Sequence, residues 1–140
     1  MTDTITALLV SEQDEPCEAL HKLLEDQGFK THQVQRVSEA RGYLEQSPLP
    51  AAVFSATALD DGTWADVVFW AARASNPVPV IVVSRNENIK LHISALENGA
   101  ADFIVPPFGA PEIAHVMRCA SKSEARGAVR RQAEPRVDPF

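Results

Sequence analysis

The residues of this 140-residue chain that could do chemistry fall into a few groups. Ser11, Glu12 and Asp14 follow an apolar run, and Asp60 and Asp61 precede Gly62. Carboxylates so placed could hold a divalent cation, or accept a phosphoryl group as an acyl phosphate. Ser55 and Ser84 each close an apolar run, where a hydroxyl could attack or hydrogen-bond a ligand. Spacing removes much of this chemistry. No G-x-S-x-G elbow surrounds Ser55 and no histidine stands near it, which excludes a serine hydrolase. His21, His32, His92 and His115 fall on separate elements without ligand spacing, so no zinc cluster is expected. Cys17 reads as a helix-surface thiol and Cys119 as a packed one, not as a redox pair. No Gly-rich phosphate loop is present. Asp-Asp-Gly is ordinary turn chemistry, and Asp14 suits a helix N-cap.

The elements that must position these groups alternate between short apolar runs and amphipathic stretches. Ile5 to Val10 predicts a buried strand, followed by a helix with Leu20, Leu23 and Leu24 on one face and Gly28 as its stop. Phe29 to Val34 predicts a weaker strand. Ser38 opens a second helix carrying Ala40, Tyr43 and Leu44, with Gly42 inside it. Ala51 to Ser55 is a third strand, and Thr63 caps a third helix whose stripe is Trp64, Val67, Val68 and Ala71. Val80 to Val83, four β-branched residues in a row, is the strongest strand signal. A fourth helix over about 87–98 is expected to turn Ile89, Ile93 and Leu96 inward, with Gly99 ending it in the left-handed conformation. Asp102 to Val105 is the fifth strand, and a last helix from about Pro111 to Ser121 carries Ile113, Val116, Met117 and Ala120. Five βα units of this kind imply an α/β fold: a flavodoxin-like (βα)5 three-layer sandwich with a parallel five-stranded sheet in the order 2-1-3-4-5. Its site belongs at the carboxyl ends of strands 1 and 3, where the winding reverses.

Three segments carry a family resemblance: Leu9-Val10-Ser11-Glu12-Gln13-Asp14-Glu15, Pro79-Val80-Ile81-Val82-Val83-Ser84, and the block from Ala95-Leu96-Glu97-Asn98-Gly99 through Pro106-Pro107-Phe108. Over roughly Ile5 to Ser121 the chain resembles the receiver domain of two-component response regulators. The resemblance implies an aspartate phosphoacceptor ending strand 3, Mg²⁺ held by an acidic pair after strand 1, and a strand-5 lysine facing the phosphate. Here the acidic pair is Ser11 and Glu12, the phosphoacceptor place holds Ser55 or Ala56, and the lysine place holds Pro106. Only Ser84, at the Ser/Thr switch position, and Phe103, at the aromatic one, fit the pattern. The resemblance therefore implies a pseudo-receiver: not an enzyme, without cofactor and without Mg²⁺, acting in a phosphorelay through protein contacts. Two alternatives stand beside it. Asp60, Asp61 or Glu12 could serve as non-standard phosphoacceptors or metal ligands, or the cleft could bind a small ligand as other flavodoxin-like sheets do. The resemblance also implies a cis Pro106-Pro107 bond.

Partner surfaces are expected at Phe69 and Trp70, which leave the stripe of helix 3, and at Leu91 with His115 and Cys119 on the face of helices 4 and 5. The partners implied are a histidine kinase or another signalling protein, or a second copy in a homodimer. Charge argues against nucleic acid. Five basic and three acidic residues lie beyond Ser121, which leaves the body with 8 basic against 16 acidic residues, a net of −8 that repels phosphate backbones. The division expected is a receiver over 1–121 and a flexible tail over 122–140, too short for a DNA-binding module, so the chain reads as a stand-alone receiver. The start lacks a basic, apolar leader and no run of 18 apolar residues occurs. With only two cysteines, a reducing cytoplasmic location and no membrane contact are expected.

Overall fold

The computed structural model describes residues 5–12, 15–46 and 48–125, the last five of them as backbone. A five-stranded parallel sheet is built from β1 (Thr6–Val10), β2 (Lys30–Val34), β3 (Ala52–Ala56), β4 (Val80–Val83) and β5 (Asp102–Ile104), in the order β2-β1-β3-β4-β5. This is the expected topology. A short antiparallel hairpin, Ala58–Leu59 with Gly62–Thr63, follows β3. The helices are α1 (Glu15–Asp26), α2 (Val37–Leu44), α3 (Trp64–Ala72), α4 (Ile89–Glu97) and α5 (Ala110–Ala125).

Alternation along each strand feeds two cores, because successive side chains point to opposite faces. Ala7 and Leu9 pack with Phe54 and Ile81 under α1 and α5, against Leu20, Leu24, Ile113 and Met117. Leu8 and Val10 pack with Val53 and Val80 under α2 and α3, against Val37, Ala40, Val67 and Ala71. A third cluster joins α3 and α4 through Trp64, Val82, Ala95, Ala100 and Phe103. Burial on both faces is why the strands read as unbroken apolar runs. Thr63 caps α3 in a reciprocal box with Asp66, and Gly28 and Gly99 adopt positive φ after α1 and α4, as their positions required.

Four expectations are corrected. On α4 the face is reversed: Ile89 is 76% exposed, Ile93 51% and Leu96 46%, while Ala95 is buried and Leu91 packs into the third cluster. The helix carries apolar residues on both sides, so periodicity alone selected the larger aliphatic set, and the smaller Ala95 is what fits close to the sheet. The cysteines are also exchanged, with Cys17 buried on the core side of α1 and Cys119 exposed on α5. α5 runs to Ala125, four residues past the expected boundary at 121. α2 begins at Val37 rather than Ser38, with Arg36 at its N-cap position and no side chain of its own closing the end. The remainder of the expected tail, and Asp14 with its N-cap role, lie outside the described residues.

Candidate functional site

The carboxyl ends of β1, β3 and β4 open on a cleft of about 290 Å³. Its base is apolar, formed by Leu9, Cys17, Leu20 and Val83, and its polar lining comes from Ser11, Glu12, Thr57, Ser84 and Arg85. The sheet ladder places these groups. The Ser11 amide donates to the Val34 carbonyl at 2.9 Å and the Ser84 amide to the Ile104 carbonyl at 3.0 Å, so each serine is held one residue beyond its strand at the sheet edge. At β3 the two open positions separate: Ala56 lines the cleft, whereas Ser55 is fully buried and outside it.

The three serine hydroxyls are all turned to nearby backbone. Ser11 Oγ donates to the Glu12 carbonyl at 2.9 Å, Ser55 Oγ to the Ala56 carbonyl at 2.9 Å, and Ser84 Oγ to the Asn86 carbonyl at 2.6 Å. Such local bonds satisfy groups that burial would otherwise leave costly. Among the described lining residues Glu12 is the one carboxylate, and it is exposed. Among the described residues no cluster of three or more His, Cys, Asp or Glu side chains could hold a metal ion.

Asp60 and Asp61 do not reach the cleft, contrary to the expectation that they could supply carboxylates there. Asp61, at the tip of the short hairpin, closes the uncapped end of α2: its Oδ1 accepts the Val37 amide at 2.7 Å and its Oδ2 the Ser38 amide at 3.0 Å. The Ser38 and Val37 amides hold its carboxyl below the ordinary carboxylate value. Asp60 lies 3.9 Å from Arg36 in an exposed pair that contributes little. Gly62 beside them is required by close approach, since a Cβ there would press on the Asp66 carboxylate and Val37. Nothing in the sequence near Ser38 signals this long-range cap; the signal sits 23 residues away in the turn.

The remaining candidates scatter. Phe103 is 9% exposed and lies beneath the His92 imidazole, stacked at 4.7 Å and 10°. Pro106 is joined to Pro107 by a cis peptide. Trp70 is half-buried against α2 with the Arg41 guanidinium 4.1 Å from its ring, so of the two residues expected to form a patch only Phe69 is exposed, itself covered by Arg73 at 3.6 Å. Leu91 packs inward and does not extend a partner face with His115 and Cys119, which are exposed and 3.5 Å apart on α5. Sequence reasoning missed Thr57 and Arg85 in the cleft. Each stands just past a strand's carboxyl end, the position from which open α/β sheets contact ligands, and that position was the available signal.

Among the described residues no helix is long and apolar enough to cross a membrane. The chain is 27% identical over 106 residues to the swarming motility regulation protein RssB of Serratia marcescens, a match spanning 76% of this chain and 48% of that protein. It is 28% identical over 118 residues to the photosynthetic apparatus regulatory protein RegA of Cereibacter sphaeroides, spanning 84% and 64% respectively. The chain thus covers about half to two thirds of these relatives. The receiver domain of the Pseudomonas aeruginosa PAO1 sensor histidine kinase PA1611, solved with magnesium in its active-site cleft, superposes with a TM-score of 0.75 at 18% identity, covering 86% of this chain and 100% of that one. The NtrX receiver domain from Brucella abortus gives 0.72 at 25% identity, covering 84% and 98%. Residues 7–118 match the response regulator receiver domain model, and the chain belongs to that family, the receiver modules of two-component signalling.

Proposed function

We propose that this receiver works in two-component signalling through protein contacts and does not form a stable aspartyl phosphate. Receiver domains engage histidine kinases and other signalling proteins, and those are the partners proposed, in the cytoplasm. The observation that carries the reading is the cleft edge of β3: the residue lining it is Ala56, which has no group able to form an acyl phosphate. The strand-5 lysine is missing as well, since Pro106, which has neither charge nor N–H, stands in its place; among the described lining residues the cation is Arg85, from the end of β4. The described donor set does not fit Mg²⁺, which takes near-octahedral oxygen ligands and one or two carboxylates beside its waters and phosphate partners. Among the described lining residues Glu12 alone supplies a carboxylate. Asp60 and Asp61 give no support to the alternative phosphoacceptor, because neither lines the cleft and the Asp61 carboxylate is engaged by the first amides of α2.

Incubation with acetyl phosphate and millimolar Mg²⁺ should leave the intact mass unchanged. A stoichiometric adduct labile to acid and to hydroxylamine would overturn the reading. A second reading, a small ligand in the cleft, is favoured by its apolar base of Leu9, Cys17, Leu20 and Val83. At about 290 Å³ it lies at the lower end of ligand pockets, so only a compact molecule would fit. Native mass spectrometry of the purified chain tests this, a bound small molecule supporting it and a clean apo mass with no thermal shift across a fragment set counting against it.

A further inference from the structure

The cleft at the carboxyl ends of β1, β3 and β4 is apolar at its base and carries opposite charges at its mouth. The register of the sheet sets what stands across it. Val10, Ser55 and Val82 are aligned across β1, β3 and β4, and one residue further on Ala56 pairs with Val83. Ala56 therefore fills the middle of the cleft with no more than a methyl group. To one side, past β1, is Glu12; to the other, past β4, is Arg85. Both are exposed. Among the described lining residues they are the only two with full charges, and the charges cancel.

We infer that the cleft binds a free aliphatic amino acid of about leucine size, with Arg85 on its carboxylate, Glu12 on its ammonium group and its side chain on the apolar base. This names the ligand for the second reading above and rests on that reading. Charge selects the class. A plain carboxylate or phosphate gains Arg85 but meets Glu12 with like sign, and a plain amine meets Arg85 in the same way. A neutral apolar molecule takes water from both charges and returns nothing to either. A zwitterion satisfies both.

The spacing agrees with this. β1 and β4 lie on either side of β3, two strand spacings or about 10 Å apart. The nitrogen and nearer carboxylate oxygen of an amino acid are about 2.7 Å apart through its central carbon. A charge-assisted hydrogen bond of about 2.8 Å at each end carries the head group across most of the mouth. Arg85 has a contact of its own within the protein, and its five N–H donors serve more than one acceptor. Below the head group, Leu9, Leu20 and Val83 offer a branched alkyl group a surface that water wets poorly. The cleft volume of about 290 Å³ limits that group to a compact one.

Calorimetric titration of the full 140-residue chain with L-leucine is expected to show saturable one-site binding, with a melting temperature that rises with ligand concentration. Isocaproate lacks the ammonium group of leucine and isoamylamine lacks its carboxylate. Each should bind at least about tenfold more weakly, because one charge of the mouth is left unpaired. Glu12→Gln should abolish the advantage of leucine over isocaproate, and Arg85→Gln its advantage over isoamylamine. The two variants are read against different analogues, so a general loss of structure does not reproduce the pattern. Leucine binding no better than either analogue, or a preference that both variants leave untouched, overturns the assignment. Absence of leucine binding overturns it as well. If native mass spectrometry then finds another retained small molecule, the amino-acid class alone falls; a clean apo mass removes the cleft reading with it.

Discussion

The orientation of α4 can be tested on the monomer with one pair of truncations. Ile89 and Leu91 are two residues apart, and the helical spacing of Ile89, Ile93 and Leu96 in the sequence favours Ile89 as the core residue. The structure makes it 76% exposed and packs Leu91 beside Trp64, Ala95 and Phe103. Full burial of such a side chain is worth about 1.5–3 kcal/mol, so the quarter of Ile89 removed from water contributes about 0.4–0.8 kcal/mol. Ala is the better helix former, by roughly 0.4 kcal/mol over Ile, which offsets most of that loss. Ile89→Ala is therefore expected within about 0.5 kcal/mol of the parent, as for most surface substitutions. Leu91→Ala removes contacts in a cluster that cannot collapse freely around Trp64. Half of the usual 2–5 kcal/mol for a fully buried leucine gives about 1–2.5 kcal/mol. Urea unfolding should show the midpoint of Leu91→Ala clearly lowered at constant slope. Equal losses for the two variants, or a larger loss for Ile89→Ala, would refute the assigned face.

Other outcomes follow from the same geometry. Gly42 lies in the interior of α2 with nothing within 4 Å of an added Cβ, so Gly42→Ala should stabilise by about 0.5–1 kcal/mol in the same titration. Gly62→Ala should destabilise instead, because its Cβ meets Val37 and Asp66. Asp61→Ala should lower stability at neutral pH by uncapping α2. The folded carboxyl titrates below the ordinary value of 3.8, so its contribution is complete above that value and is lost as pH falls through the lower folded one; the parent and variant melting temperatures should converge in strong acid. A gap that persists unchanged at the lowest pH would contradict the cap's ionic character. With a thiol reagent under native conditions, Cys119 should react at once and Cys17 only on unfolding, as peptide mapping would show.

Much of this protein was legible in its residues. The run Val80-Ile81-Val82-Val83, the stripe Trp64/Val67/Ala71 and the stops at Gly28 and Gly99 each depend on local chemistry, and the order of five such units restricts the sheet to few topologies. The loss of charge at Ser11 and Pro106 was also visible, since an absent carboxylate or ammonium needs no geometry to be noticed. Which of Ser55 and Ala56 meets the cleft was decided by strand register, and which side of α4 meets the sheet by the fit of Ala95 beneath Trp64 and Phe103. Asp61 looked like a turn residue with a spare carboxylate until the hairpin carried it to the first amides of α2. Local pattern sets what an element is, because its hydrogen bonds and burial period lie within a few residues. Which face it presents, and which distant amide a carboxylate meets, depends on packing between segments far apart in the chain, and only the tertiary structure fixes that.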